Sequence, residues 1–169
     1  MNVILIAAMS MNGMIAEQSD QSSLDWTSKE DTRFFVEKTK EAGVVVMGRK
    51  TFETIGKGLP GREIVVMTRT PDIHEQMDGV VFTDMTSQQI VETYKNKGQQ
   101  SIAIAGGSNV YSLFIREGLV TDYFLTIEPV LFGNGVPFAV GFDRVNTKLV
   151  ETKMLNEQAV LLHYTSIQF

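Results

Sequence analysis

Cysteine is absent from this chain. That excludes a disulfide framework and any thiolate metal site. Histidine is scarce: His74 and His163 are the only two, far apart in the sequence, so no zinc site is expected. No apolar run approaches the ~20 residues that cross a bilayer. The opening MNVILIAAM is too short, lacks a basic leader, and reads as a buried strand. Positive charge is also in deficit, with 15 Lys+Arg against 20 Asp+Glu. Such a balance argues against general nucleic-acid binding, which needs a basic footprint. These absences leave a cytoplasmic protein with no membrane, metal or nucleic-acid partner as the expectation.

What is present is an ordinary globular composition, 43% hydrophobic and 21% charged over 169 residues. That length suits one domain, taken as residues 1–169, with enough chain to bury a substantial core. No repeat, low-complexity segment or linker interrupts it. Short apolar runs alternate with amphipathic stretches, the pattern of an α/β sheet protein. Strands are predicted at 2–9, 44–48, 63–68, 79–83, 101–105 and 121–128, and helices at 29–42, 50–56, 87–97 and 108–118. TKLVETKML, a turn at Asn156-Glu157-Gln158 and AVLLHYTSI then read as a β-hairpin, hence antiparallel strands at one edge. The architecture implied is a mixed, mostly parallel sheet of about eight strands with helices on both faces.

The scarce positive charge is not evenly spread. Residues 46–62, VMGRKTFETIGKGLPGR, carry Arg49, Lys50, Lys57 and Arg62 against Glu53 alone, a local +3, and four glycines. The rest of the chain therefore sums to −8. A solvated turn–helix–turn or a nucleic-acid patch would account for this; so would a site for a small polyanion. Gly48 ends the strand VVVM, and Arg49-Lys50-Thr51 opens a helix. Arg69 follows the strand IVVMT. A second strand–turn–helix, IAIAGGSNVYSLFI at 102–115, places Gly106-Gly107 before a helix that Ser108 or Asn109 can cap. Backbone N–H groups at such a start favour a pyrophosphate, although glycines in a strand–helix turn often only turn the chain, and the full GxGxxG spacing is absent. Cations beside such turns suit a dinucleotide with an extra ribose phosphate, of which NADPH is the commonest.

Asp31 is the most informative acid. In SKEDTRFFVEKTK, Phe34 and Phe35 follow it by three and four residues, so all three share one apolar helix face. Ser28-x-x-Asp31 resembles a capping box, in which Asp31 would bond the helix start. The other reading is functional: a carboxylate above two phenylalanines can bind an amidine-like group and handle a proton.

MSMNGMIA, DW followed by Asp31-x-x-Phe34-Phe35, MGRKTFETIG, LPGR, IAGGSNVY and FLTIEP occur in the order of the dihydrofolate reductase family, which residues 1 to about 128 resemble. The resemblance implies that family's three-layer α/β fold, with an eight-stranded sheet and one antiparallel edge strand, and hydride transfer from NADPH to dihydrofolate. Position by position, it implies that Asp31 holds the pterin's amino-pyrimidine edge and promotes protonation of the imine nitrogen. Thr126 would support that carboxylate and Trp26 would hold water beside it. The carbonyls of Ile6 and Ala105 would meet the pterin's remaining edge next to Ala7. Phe35, Ile55 and Leu59 would wall the benzoyl group, and Arg62 would pair with the glutamate tail. Ala8 and Ile15 would flank the nicotinamide, with Tyr111 beneath it. Gly48, Arg49, Lys50, Thr51, Thr68 and Arg69 would take the adenosine phosphates. Gly106, Gly107, Ser108, Asn109 and Val110 would take the pyrophosphate, the paired glycines joined by a cis peptide as in the family. A monomer or a homodimer fits equally.

Four departures accompany the resemblance. Ser108 stands where the family shows a third glycine. Loop 16–25 is longer than the usual active-site loop, and Asp25 precedes Trp26 where proline is common. PVLFGNGVPF at 129–138 is similar to the reductase domain of riboflavin biosynthesis, a sister branch that reduces a ribosylated pyrimidine with NADPH, and SMNGMIA and DWTSKED echo that branch. The alternatives are therefore a reductase of that branch, or a non-catalytic nucleotide- or pterin-binding protein.

Overall fold

In the computed structural model, which describes residues 1–167, the chain runs β1 (Asn2–Ser10), β2 (Met14–Ala16), α1 (Lys29–Ala42), β3 (Val44–Gly48), α2 (Arg49–Ile55), β4 (Glu63–Met67), β5 (Val80–Thr83), α3 (Ser87–Asn96), β6 (Ser101–Ile104), α4 (Ser108–Arg116), β7 (Asp122–Glu128), β8 (Val136–Pro137), β9 (Thr147–Met154) and β10 (Val160–Ser166). The expected single domain ends at residue 169, so its last two residues lie outside the described ones. Eight strands form one sheet in the order β5-β4-β3-β6-β1-β7-β10-β9. Among them β10 alone runs against the rest, antiparallel to both β7 and β9. The expected hairpin is therefore present at the edge, and its outer strand β9 points the same way as the parallel body.

Local chemistry explains the elements. β3 and β4 are β-branched runs buried on both faces, as parallel strands between helical layers must be. Ser28 caps α1, which ends where Gly43 takes a left-handed φ of 75°. Thr86 and Gln89 form a full capping box on α3.

Two cores result. On one face Ile4, Ile6, Ala103 and Phe124 receive Phe34 and Phe35 of α1, while Val45, Met47, Ile64 and Val66 receive Phe52 of α2. On the other, Val3, Leu5, Val46 and Ile104 receive Ile90 and Tyr94 of α3 and Tyr111 and Phe114 of α4. The predicted helices and strands stand within a residue or two of their observed bounds.

One element was not foreseen. β2 and β8 pair as a separate two-stranded sheet, three and two residues long, too short to show a period. It fastens segment 129–138 over the loop after β1. Met11 N–H donates to Val130 O at 2.8 Å, Asn12 Nδ2 to Phe132 O at 2.7 Å, and Phe138 N–H to Gly13 O at 2.9 Å. Gly135 is required there, because a Cβ would sit 2.4 Å from Ala16 O. The expected loop 16–25 thus begins inside β2 and contains a short 3₁₀ turn at Ser23–Asp25. β9 closes the sheet with all eight residues exposed. No helix among the described residues is long and apolar enough to cross a membrane.

Candidate active site

The sheet order brings the C-terminal ends of β1, β3, β4, β6 and β7 to one side, where ligands bind in open α/β sheets. β7 contributes Thr126, 1% exposed, which lies opposite Ala8 in the β1–β7 register. α1 packs across this pair through Phe34 on Phe124, ring centroids 5.7 Å apart, and presents Asp31, 8% exposed. Burial raises the Asp31 pKa to about 6; Thr126 pulls it back down in part, and the carboxylate of Glu128 pushes it up.

The capping-box reading of Ser28 and Asp31 is half realised. Ser28 Oγ accepts the Asp31 N–H at 3.3 Å, but the Ser28 N–H goes to Glu128 Oε1 at 2.7 Å rather than to Asp31. Glu128 was not singled out in the sequence.

Further along the same face of α1, Thr39 donates to Phe35 O at 2.6 Å and accepts from Arg62 Nη1 at 2.8 Å. Arg62 is 8% exposed, its Nε donates to Pro60 O at 3.3 Å, and burial lowers its pKa. No carboxylate pairs with it among the described residues. Leu59 and Ile55 pack against the neighbouring core beside Ala105. Trp26 meets Phe132 edge-on at 5.1 Å. Its Nε1 is buried without a partner among the described residues.

On the β3 and β6 side, the two glycine turns touch. Gly48 N–H donates to Gly106 O at 2.8 Å, and Gly106-Gly107 is a cis peptide. Tyr111 lies beneath: a Cβ on Gly106 would stand 3.2 Å from its ring, and one on Gly107 would stand 3.2 Å from Thr51 Oγ1. The Tyr111 hydroxyl donates to Ile6 O at 2.6 Å, so it uses one lone pair of a carbonyl expected to meet the pterin. Its pKa is raised by burial and by the charge of Asp31. Ile15 packs in the core that holds Ala7, Val110 and Tyr111, and Phe138 lies 5.2 Å from the Tyr111 ring.

Gly107 begins α4 without any side-chain cap, although Ser108 and Asn109 had been candidates for it. Ser108 is half-buried and Asn109 exposed. An uncapped helix start behind a glycine turn offers backbone N–H donors that suit a phosphate. The donor set therefore fits a dinucleotide. Of the expected cations, Lys50 and Arg69 are exposed, while Arg49 pairs along its own helix with Glu53. That pair is exposed at both ends, and such pairs exchange at little cost. Thr68 N–H is held by Thr83 O at 2.9 Å.

Glu128, Thr39 and Phe138 are the residues that sequence reading missed. The first two were findable: Glu128 shares the strand face of Thr126, and Thr39 lies two turns beyond Asp31.

Comparison with known proteins agrees with this geometry. The dihydrofolate reductase family model matches residues 2–127. A dihydrofolate reductase of Buchnera aphidicola subsp. Baizongia pistaciae is 32% identical, with 93% of this chain and 88% of that one covered. The solved dihydrofolate reductase of Enterococcus faecalis complexed with NADP(H) is 27% identical, TM-score 0.74, covering 99% of this chain and 97% of that one. The crystal structure of a putative riboflavin biosynthesis protein from Shewanella sp. PV-4 has TM-score 0.84 at 19% identity, covering 99% of this chain and 100% of that one. At that identity the likeness is one of fold.

Proposed function

The chain belongs to the dihydrofolate reductase family, and from that premise we propose that it reduces 7,8-dihydrofolate to tetrahydrofolate with NADPH. One observation carries the choice of substrate. Asp31, Phe35 and Thr39 stand four residues apart on α1, so they form a single stripe. At ~1.5 Å of rise per residue the stripe is about 12 Å long. Its far end is Arg62, held by Thr39. Acid, aromatic ring and guanidinium in a row match a pterin, a benzoyl ring and a glutamate carboxylate. A buried guanidinium without an acid is costly until an anion joins it, and the glutamate tail supplies one.

In this reading Asp31 holds the amino-pyrimidine edge of the pterin and promotes protonation of its imine nitrogen. Its raised pKa keeps a proton available at a pH where a free aspartate has none. Thr126 orients the carboxyl, and the carbonyls of Ile6 and Ala105 take the opposite edge. Phe35, Ile55 and Leu59 exclude water from the benzoyl ring. Gly106, Gly107, Ser108, Asn109 and Val110 would hold the cofactor's pyrophosphate. Gly48, Arg49, Lys50, Thr51, Thr68 and Arg69 would hold its adenosine phosphates, with Ala8, Ile15 and Tyr111 about the nicotinamide. The cofactor, when bound, supplies the hydride. Residues 1–169 act as one cytoplasmic domain, as a monomer or homodimer.

A second reading, NADPH-dependent reduction of a ribosylated pyrimidine, is favoured by segment 129–138 and its seal over loop 11–16. Arg62 separates the two. Arg62→Leu should raise the KM for dihydrofolate roughly ten- to a hundredfold with kcat little changed, as loss of uniform binding does. A pterin lacking the glutamate should be indifferent to the change. A wild type that ignores dihydrofolate and reduces the ribosyl pyrimidine would reject the folate reading.

A further inference from the structure

Glu128 is a carboxylate that the reaction as described does not use. It is 4% exposed, ends β7, and lies two residues beyond Thr126, so both side chains share one face of the strand. Its Oε1 accepts two hydrogen bonds of 2.7 Å, from the Ser28 N–H and the Ser28 hydroxyl. Ser28 is the N-cap of α1. In a capping box the acid at the third helical position turns back to accept the N-cap N–H. That acid here is Asp31, and the N–H it would take is already bonded to Glu128.

We propose that Glu128 is a positioning residue for the reduction: by accepting the Ser28 N–H from β7, it displaces Asp31 from the helix cap and holds its carboxyl on the substrate stripe of α1. The inference rests on the proposed role of Asp31 in protonation and deepens it. Without Glu128 the Ser28 N–H is an orphan donor at a helix start, and the acceptor at capping-box spacing is the Asp31 side chain. A carboxylate recruited to that bond is turned from the substrate and favoured in its ionised form. The groups coupled to Asp31 from the elements packed on it are Glu128 and Thr126 of β7 and Tyr111 of α4.

The test uses the full chain with Glu128→Ala, Glu128→Gln, Asp31→Asn and the double variant Asp31→Asn/Glu128→Ala. Glu128→Ala should lower kcat about ten- to a hundredfold, the cost of misplacing a reacting group by about 1 Å. KM for dihydrofolate should rise as well, because the same carboxyl holds the pterin edge, whereas affinity for NADPH should move far less. Glu128→Gln keeps an acceptor oxygen and the side-chain volume, so it should fold and restore most of the turnover. In the Asp31→Asn background, Glu128→Ala should cost nothing further. Carbon-13 NMR titration of the Asp31 carboxyl reads the same event without turnover. Both variants lose the Glu128 charge that raises the midpoint, but it should fall further in Glu128→Ala than in Glu128→Gln, because only in the former does the carboxylate gain the Ser28 N–H.

An Asp31 midpoint no lower in Glu128→Ala than in Glu128→Gln, additive losses in the double variant, or equal impairment by Gln and Ala would each overturn the proposal. If the wild type reduces neither dihydrofolate nor the ribosyl pyrimidine, the functional reading fails. The difference in Asp31 midpoint between Glu128→Ala and Glu128→Gln still decides whether Glu128 places that carboxyl.

Discussion

The two halves of the candidate site handle charge in opposite ways. On the half built around α1, from β1, β7 and the LPGR turn that Thr39 ties to α1, ionisable groups are buried: Asp31, Arg62 and Glu128 are each at most 8% exposed. On the half built from β3, β4 and β6, Arg49, Lys50 and Arg69 are exposed, and the buried features are glycine turns and an uncapped helix start. Burial is what shifts a pKa and strengthens each hydrogen bond, so the first half is suited to moving a proton and recognising a shape. Exposed cations around fixed backbone donors grip an anion without changing its chemistry, and salt screens them. In the proposed reaction the first half would therefore carry the chemistry and the second would retain the cofactor.

Asp31→Asn tests the contrast most severely. Turnover near neutral pH should fall by ~10²–10⁴, the range for general acid–base groups, and lower pH should restore part of it by protonating substrate in solution. Unchanged turnover would place the chemistry elsewhere.

The same substitution should stabilise the fold. The Asp31 pKa rises from 3.8 to about 6 on folding, so in that window the folded state keeps a proton that the unfolded chain has released. Stability present below the window is lost as pH rises through it, by about 3 kcal/mol. Asp31→Asn removes that loss, so thermal melts should show the variant above wild type at about pH 8 and level with it at about pH 4. A pH-independent difference would mean that the carboxyl is not desolvated.

The exposed half should give smaller, salt-sensitive effects. Neutralising Arg49 and Arg69 together should weaken NADPH roughly tenfold and NADH little, with the difference shrinking as ionic strength rises. Equal loss for both cofactors would show that these arginines do not read the extra phosphate.

Where the local pattern is strong, the sequence was legible. The β-branched runs of β3 and β4, the capped helix after Ser28 and the paired glycines each announce their conformation within a few residues, and Asp31 stands out by its spacing from Phe34 and Phe35. What was hidden depends on partners distant in the chain. Nothing near Ser28 says that its N–H belongs to Glu128, 100 residues away. The β2–β8 sheet rests on Gly135 approaching Ala16 O, a contact between segments with no periodicity of their own. Arg62 read as a ligand-facing cation, yet its tie to Thr39 appears only once α1 and the LPGR turn share a face.

Among the described residues, the outer strand β9 leaves one row of backbone N–H and C=O groups open at the sheet edge, flanked by exposed Leu149, Val150 and Met154. An edge of this kind is a template for a foreign strand, and proteins guard it with charge. Lys148, Glu151 and Lys153 interrupt the apolar residues, so a strand added in most registers meets an unmatched charge or a like one. Colloidal behaviour thus hangs on three side chains outside the candidate site. Replacing both lysines with threonine should leave turnover intact and promote concentration-dependent aggregation, measurable by light scattering.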